Sequence, residues 1–248
     1  MVAASNEHPF ASIYPLVKEC SLSGDKQSIG VDLKGRTPPP FIAVEGPIGV
    51  GKTTLAKRLA ASFGYPTLLE NAEQNPFLEK FYRSPKQSAL ATQLFFLFHR
   101  SEKIQDLRQA DIFAPVRVAD FLIDKDPLFA RINLEPDEFQ LYERVYQQMT
   151  IDAPKPDLVI YLQASTDVLL ERIEQRGVSF EQGISRDYLE RLNEVYSEFF
   201  LYYDGAPLLI VNASEIDLAN SDRDYSHLVD YLLDIRSGRH YFNPTFFG

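Results

Sequence analysis

The chain has 248 residues, 45% hydrophobic and 24% charged, enough for one large domain with a sizeable core or for a domain with a tail. Its 25 basic against 35 acidic side chains give a net charge of −10, which repels a nucleic-acid backbone and argues against nonspecific DNA or RNA binding, though not against a small phosphate ligand held by a local loop. The single cysteine, Cys20, permits no internal disulfide, no apolar stretch is long enough to span a bilayer, and the start MVAASNEHPF lacks a basic segment followed by an apolar one, so the expectation is a cytoplasmic protein with no membrane partner.

Residues 1–40 show weak periodicity and close on the stiff run GRTPPP, which reads as an N-terminal extension of unknown role. From Phe41 onward, strand and helix patterns alternate. FIAVEG is a short buried strand ending in glycine, and LAKRLAASF has helical spacing. TLL, at 67–69, ends a second apolar run. SALATQLFFLFHRSEKIQDLRQ is a long helix with a thick apolar face, VRVADFLI reads as a strand and LYERVYQQM as a helix. DLVIYLQA is a buried strand, followed by a helix start at Ala164, Ser165 and Thr166 and the helix DVLLERIEQR. YLERLNEVYSEFFLYY is an amphipathic helix, PLLIVNA a last strand and HLVDYLLDIR a last helix. This alternation predicts an α/β fold, with right-handed crossovers joining a mostly parallel sheet covered on both faces. Ligands on such sheets sit beyond the carboxyl ends of the strands. Domain boundaries follow: an extension at 1–40, a catalytic domain at 41–236 and a tail at 237–248, whose apolar end HYFNPTFFG is expected to dock on its own body or a partner's.

The stretch GPIGVGKTT, at 46–54, fits the pattern G-x-x-x-x-G-K-[ST] through Gly46, Gly51, Lys52 and Thr53, with a strand before it and a helix after it. Its glycines let successive N–H groups converge on one point, and the positive end of the next helix adds to that anion site. The set that would hold ATP phosphates is Gly46, Gly49, Gly51, Lys52, Thr53 and Thr54, with the Thr53 hydroxyl suited to Mg²⁺. The loop therefore reads as a nucleoside triphosphate site, which leaves the acceptor to be found.

Glu70 follows TLL, at the carboxyl tip of the second strand, where a carboxylate can take a proton from an attacking hydroxyl; the spacing equally suits a helix-start charge. Gln93 and Arg100 are seven apart on one helix and share a face. An amide and a guanidinium there can pair with a base edge, or can form an ordinary polar seam. Arg172 and Arg176 share a face of a helix that stops at Gly177; they can clamp a transferring phosphoryl group or line a solvated face.

Taken together, FIAVEGPIGVGKTTLAK, ENAEQNPFLEKFY, TQLFFLFHR, PDLVIYLQASTDVLLERIEQRG, YLERL and PLLIVNA resemble the deoxynucleoside kinase family, in particular its bacterial deoxyguanosine/deoxyadenosine kinase branch, over residues 41–216. The resemblance implies a P-loop kinase fold with about five parallel strands, an arginine-bearing lid and a homodimer formed through helix faces. It implies that Glu70 is the general base on the sugar 5′-hydroxyl and that Tyr82 and Glu181 hold the 3′-hydroxyl. It further implies that Gln93 and Arg100 meet the base, and that Arg172 and Arg176 close on the ATP phosphates. Two positions depart from the family pattern. Ala119-Asp120 stands where many members have an acid and an arginine, so Asp120 could hold a metal-bound water, meet a guanine edge or simply be satisfied by backbone donors. Val178 stands where another lid arginine is common.

The expected reaction is transfer of a phosphoryl group from Mg·ATP to the 5′-hydroxyl of a 2′-deoxynucleoside, a purine favoured because of Arg100. Two other readings remain open at the level of sequence. One is a nucleoside monophosphate kinase of the thymidylate kinase type. The other is a noncatalytic nucleotide-binding subunit on the same fold.

Overall fold

FIAVE forms β1 (Phe41–Glu45), whose last four residues are buried. The computed structural model describes residues 32–110, 116–150 and 153–243. After β1 the chain turns through the glycine-rich loop into α1 (Lys52–Phe63), which ends at a left-handed Gly64 whose N–H returns to the Ala60 carbonyl. It then passes through β2 (Thr67–Leu68), α2 (Leu78–Arg83) and the long α3 (Pro85–Ala110) to β3 (Arg117–Ala119). Next come α4 (Asp126–Asn133), α5 (Pro136–Thr150), β4 (Leu158–Gln163) and α6 (Thr166–Arg176), then α7 (Arg186–Tyr202), β5 (Leu208–Asn212), α8 (Asp222–Leu232) and β6 (Arg239–Phe242). Serine caps start three of the helices. The hydroxyls of Ser165, Ser185 and Ser221 accept from the amides of Val168, Tyr188 and Asp224.

The sheet order is β2-β3-β1-β4-β5-β6, and every pairing is parallel. β1, β4 and β5 are unbroken apolar runs because helices cover both faces. Ile42, Val44, Ile160 and Leu209 pack with α1 and α8 side chains on one face, while Ala43, Tyr161, Ile210 and the aromatic residues Tyr196 and Phe200 of α7 fill the other. The chain leaves β1 for the outlying β2 and returns to β3 beside β1, so the order reverses at β1. A crevice at the carboxyl ends of β1, β2 and β3 results.

Three differences from the sequence expectations have local causes. The sheet has a sixth strand beyond the expected five. β6 comes from residues 239–242, read from sequence as tail, and pairs Leu208 with Arg239 through Val211 with Phe242. Its edge position leaves Tyr241 exposed, so no continuous apolar run marks it. Residues 243–248 lie largely outside the described part. The expected strand at 116–123 stops at Ala119, because the Leu122 amide turns inward to donate to the Glu45 carboxylate. α4 follows instead, with Pro127 in its first turn, a position that tolerates proline. Of the expected extension, Lys34 and Arg36 reach the end of α8, where both pair with Asp230 and Arg36 also with Asp234. In SEFFLYY, Phe200 is buried in the core and Leu201 and Tyr202 face outward.

Candidate active site

The glycine-rich loop is fixed by close packing. A Cβ on Gly46, at φ 151°, would lie 2.5 Å from the Leu162 carbonyl oxygen, and one on Gly49, at φ 84°, would lie 2.8 Å from the Ile173 side chain. Only glycine lets the loop sit this close to β4 and α6. Lys52 Nζ folds back over the loop and donates to the Gly46 and Pro47 carbonyls at 2.8 and 3.0 Å. Burial, reinforced by the Lys125 charge, lowers the Lys52 ammonium to about 8, against the opposing pull of Glu45 and Asp120.

Two cavities meet at this loop. One, of about 600 Å³, runs along Gly49–Leu55 and the segment 213–220 after β5. The other, of about 530 Å³, opens between α2, α3 and α4, and is lined by Glu70, Tyr82, Gln93, Arg100 and Glu181 among others. Gly49, Lys52, Thr53, Thr54 and Arg176 line both. The fold thus brings Glu70, Gln93, Arg100, Asp120, Tyr82 and Glu181 to a single cavity beside the phosphate loop.

Their contacts refine that reading. Asp120, buried at the end of β3, accepts from the Thr53 hydroxyl at 2.5 Å and from the Glu70 amide at 2.7 Å. It therefore ties the phosphate loop to the segment carrying Glu70. Arg100 is forked onto two acids, with one terminal nitrogen on Glu70 and the other on Asp126, and it lies 5.1 and 5.9 Å from the Phe96 and Phe121 rings. Burial raises the Asp126 carboxyl to about 6, although the Arg100 and Lys125 charges pull it down. Gln93 is buried in the cavity wall, and its amide has no hydrogen-bond partner among the described residues.

Tyr82 stacks on Phe180 with ring centroids 6.3 Å apart, and burial pushes its phenol well up, so it is a neutral donor. Glu181 is buried and paired with Arg176. Arg172 donates to the Val50 carbonyl at 3.1 Å and the Ala213 carbonyl at 2.7 Å. It braces the loop against the end of β5 from the wall of the first cavity.

Sequence reasoning missed a buried group behind the loop. Glu45, the last residue of β1, accepts from the Gly46 amide, the Leu122 amide, Lys125 Nζ and the Tyr196 hydroxyl. Burial by itself would raise the Glu45 carboxyl, but Lys125, Lys52 and the two amides outweigh that and hold it below its ordinary value. The signal available was an acid ending an apolar strand, and the charged tripeptide DKD at 124–126.

As for a cation, the Thr53 hydroxyl and the Asp120 carboxylate are two hard oxygen donors side by side at the phosphate loop. That donor set fits Mg²⁺, which takes one or two protein oxygens and completes its shell with phosphate oxygens and water.

A family model described as deoxynucleoside kinase matches residues 42–235. Among curated proteins, the chain is 45% identical to the deoxyguanosine kinase of Bacillus subtilis (strain 168) over 161 residues, 63% of this chain and 76% of that protein. It is 31% identical to the deoxyadenosine/deoxycytidine kinase of the same organism, over 79% of this chain and 92% of that protein. It is 32% identical to the deoxyadenosine kinase of Lactobacillus acidophilus, over 73% of this chain and 88% of that protein. Among solved structures, the deoxyadenosine kinase from M. mycoides with bound dATP superposes with a TM-score of 0.67 at 28% identity, covering 77% of this chain and 98% of that one.

Proposed function

The chain belongs to the deoxynucleoside kinase family, and we propose that it transfers the γ-phosphoryl group of ATP to the 5′-hydroxyl of a 2′-deoxynucleoside, a purine favoured, giving the 5′-monophosphate. Phosphorylation of deoxynucleosides is the activity of the family. The observation that carries the finer reading is the meeting of two cavities at Lys52, Thr53 and Arg176, with Glu70 lining the second. A donor in the first cavity and an acceptor in the second would have their reacting atoms at that junction.

Each residue takes a part that its position supports. The loop amides and Lys52 hold the triphosphate, and Arg176 reaches the transferring group from the lid. Arg172 keeps the loop shut against β5. Glu70 accepts the 5′-hydroxyl proton, and Arg100 fixes its carboxylate in place. Tyr82 donates to the 3′-hydroxyl and Glu181 accepts from it, while Gln93 meets the base. Thr53 and Asp120 would hold Mg²⁺, which would supply charge neutralisation on the phosphates. The Thr53 contact favours this metal-side task for Asp120 over contact with the base. Glu70, Glu73 and Glu181 face the acceptor cavity, which suits neutral sugar hydroxyls better than an acceptor that already bears phosphate.

We assign the enzyme to the cytoplasm and to a homodimer. A single cysteine suits a reducing compartment. Among the described residues no helix is long and apolar enough to cross a membrane. α3 and α5 pack on one another, and each exposes a large apolar side chain, Phe98 and Leu141, as a dimer face would.

Steady-state ADP release with Mg·ATP tests the reading, using deoxyguanosine, deoxyadenosine, deoxycytidine and thymidine, their monophosphates and a no-acceptor control. Saturable turnover with a deoxynucleoside is expected. Turnover with monophosphates alone would move the chain to the monophosphate kinases, and ATP binding without turnover would make it a noncatalytic subunit.

A further inference from the structure

One buried cation in the acceptor cavity has no task in this mechanism. Lys125, in the short 3-10 turn Ile123–Lys125, is 2% exposed yet lines the cavity together with Gln93, Arg100 and Phe129. Its Nζ lies 3.1 and 3.0 Å from the two oxygens of Glu45 and 5.6 Å from the centre of the Phe129 ring. An ammonium carries three N–H donors and accepts nothing. Two of them can be matched to Glu45, and the third has no oxygen partner among the described residues.

Among the described residues no other acid near it is hydrogen-bonded to it. Glu45 also accepts from two amides and the Tyr196 hydroxyl. Arg100 spends one terminal nitrogen on Glu70 and the other on one oxygen of Asp126; the second Asp126 oxygen is buried with no hydrogen-bond partner among the described residues and is not bonded to Lys125. Gln93 offers an oxygen and an NH₂ group, so its amide can turn to suit either kind of base edge. Lys125 cannot invert in that way. A base whose exocyclic group is an oxygen would satisfy the spare N–H, whereas an exocyclic amino group would set donor against donor in a buried site.

We infer that Lys125 is a specificity-determining residue of the acceptor site: its spare N–H donates to the exocyclic oxygen of a 6-oxopurine, so that deoxyguanosine and deoxyinosine are preferred to deoxyadenosine. The inference rests on the reading of this cavity as the deoxynucleoside site.

The test is kcat/KM of the unmodified enzyme for deoxyguanosine, deoxyinosine, deoxyadenosine and 2-aminopurine deoxyriboside. Deoxyinosine keeps the 6-oxygen and lacks the 2-amino group, and 2-aminopurine deoxyriboside has the reverse. Both oxo substrates are expected to exceed both substrates without the oxygen by about ten-fold or more, chiefly through KM. The same series is then run on Lys125→Met and on the charge-neutral pair Glu45→Gln with Lys125→Met, each checked for folding by its thermal melt. In a folded variant the preference is expected to shrink to about two- to three-fold; a merely structural lysine would lower all four substrates alike. Equal or better use of deoxyadenosine by the unmodified enzyme would overturn the inference, as would a preference that survives in the folded double variant. In both of those cases the kinase reading stands. Turnover of no nucleoside at all would overturn the kinase reading and this inference with it. Should neither variant fold, the analogue series decides alone.

Discussion

Arg176 and Glu181 are ion-paired across the short lid that follows α6, and they belong to different substrates. Arg176 lines both cavities and is assigned to the donor phosphates, while Glu181 is buried in the acceptor cavity and is assigned to the sugar. In the free protein each therefore occupies the other. A 3′-hydroxyl that engages Glu181 weakens its hold on Arg176 and makes that arginine available to ATP, so the two substrates are expected to bind with positive coupling. Calorimetric titration with a nonhydrolysable ATP analogue checks this. Glu181→Gln is expected to tighten ATP binding several-fold without nucleoside, and to abolish the further gain on adding nucleoside. Identical ATP affinity in the two proteins would show that the pair is inert.

Lys52 sets a pH limit on ATP binding. Burial lowers its ammonium to about 8, below the ordinary lysine value, so the free protein loses this charge as pH rises through about 8. The polyphosphate favours the charged form, so binding above that pH takes up a proton and weakens by up to about ten-fold per unit. For folding the sign is opposite. Between about 8 and the ordinary lysine value the unfolded chain holds more protons here, and this group's contribution to stability rises with pH. Titrating ATP in two buffers of different ionisation enthalpy at pH 9 is expected to reveal proton uptake.

Asp120→Asn separates the two tasks considered for that residue. A metal-side carboxylate predicts a rise of about ten-fold or more in the Mg²⁺ concentration needed for half-maximal turnover, with unchanged ranking of the four nucleosides. A base-reading carboxylate predicts the reverse, a changed ranking at an unchanged Mg²⁺ requirement. The 2.5 Å contact to Thr53 underlies the first expectation.

Tyr196→Phe keeps the ring that stacks near Tyr161 and removes the hydroxyl that donates to Glu45 at 2.8 Å. Loss of one hydrogen bond to a buried charge is expected to cost about 2 kcal/mol of stability. The melting temperature should fall while nucleoside ranking stays the same.

The parts of this site that depend on local chemistry were legible in the sequence. The loop at 46–54 needs glycine at fixed offsets, and Glu70, Gln93 and Arg100 could be placed by the end of one run and the period of one helix. What depends on contacts between distant segments was not. Glu45 and Lys125 are 80 residues apart in the chain, and only the β1–β3 pairing brings them together. The helix face of Arg100 was visible in the sequence, but its pairing with Glu70 and Asp126 was not, because those acids lie on other elements. β6 escaped notice because an edge strand buried on part of one face carries too little apolar pattern.

Glu70 is assigned to activate the acceptor hydroxyl from the wall of the second cavity. The most direct test of that assignment is Glu70→Gln, assayed for ATP binding and for turnover with whichever deoxynucleoside the unmodified protein uses best. Retained ATP affinity with turnover lowered by about a hundred-fold or more is the expected result. Near-normal turnover would contradict it, and the proton acceptor would then have to be another group in the cavity.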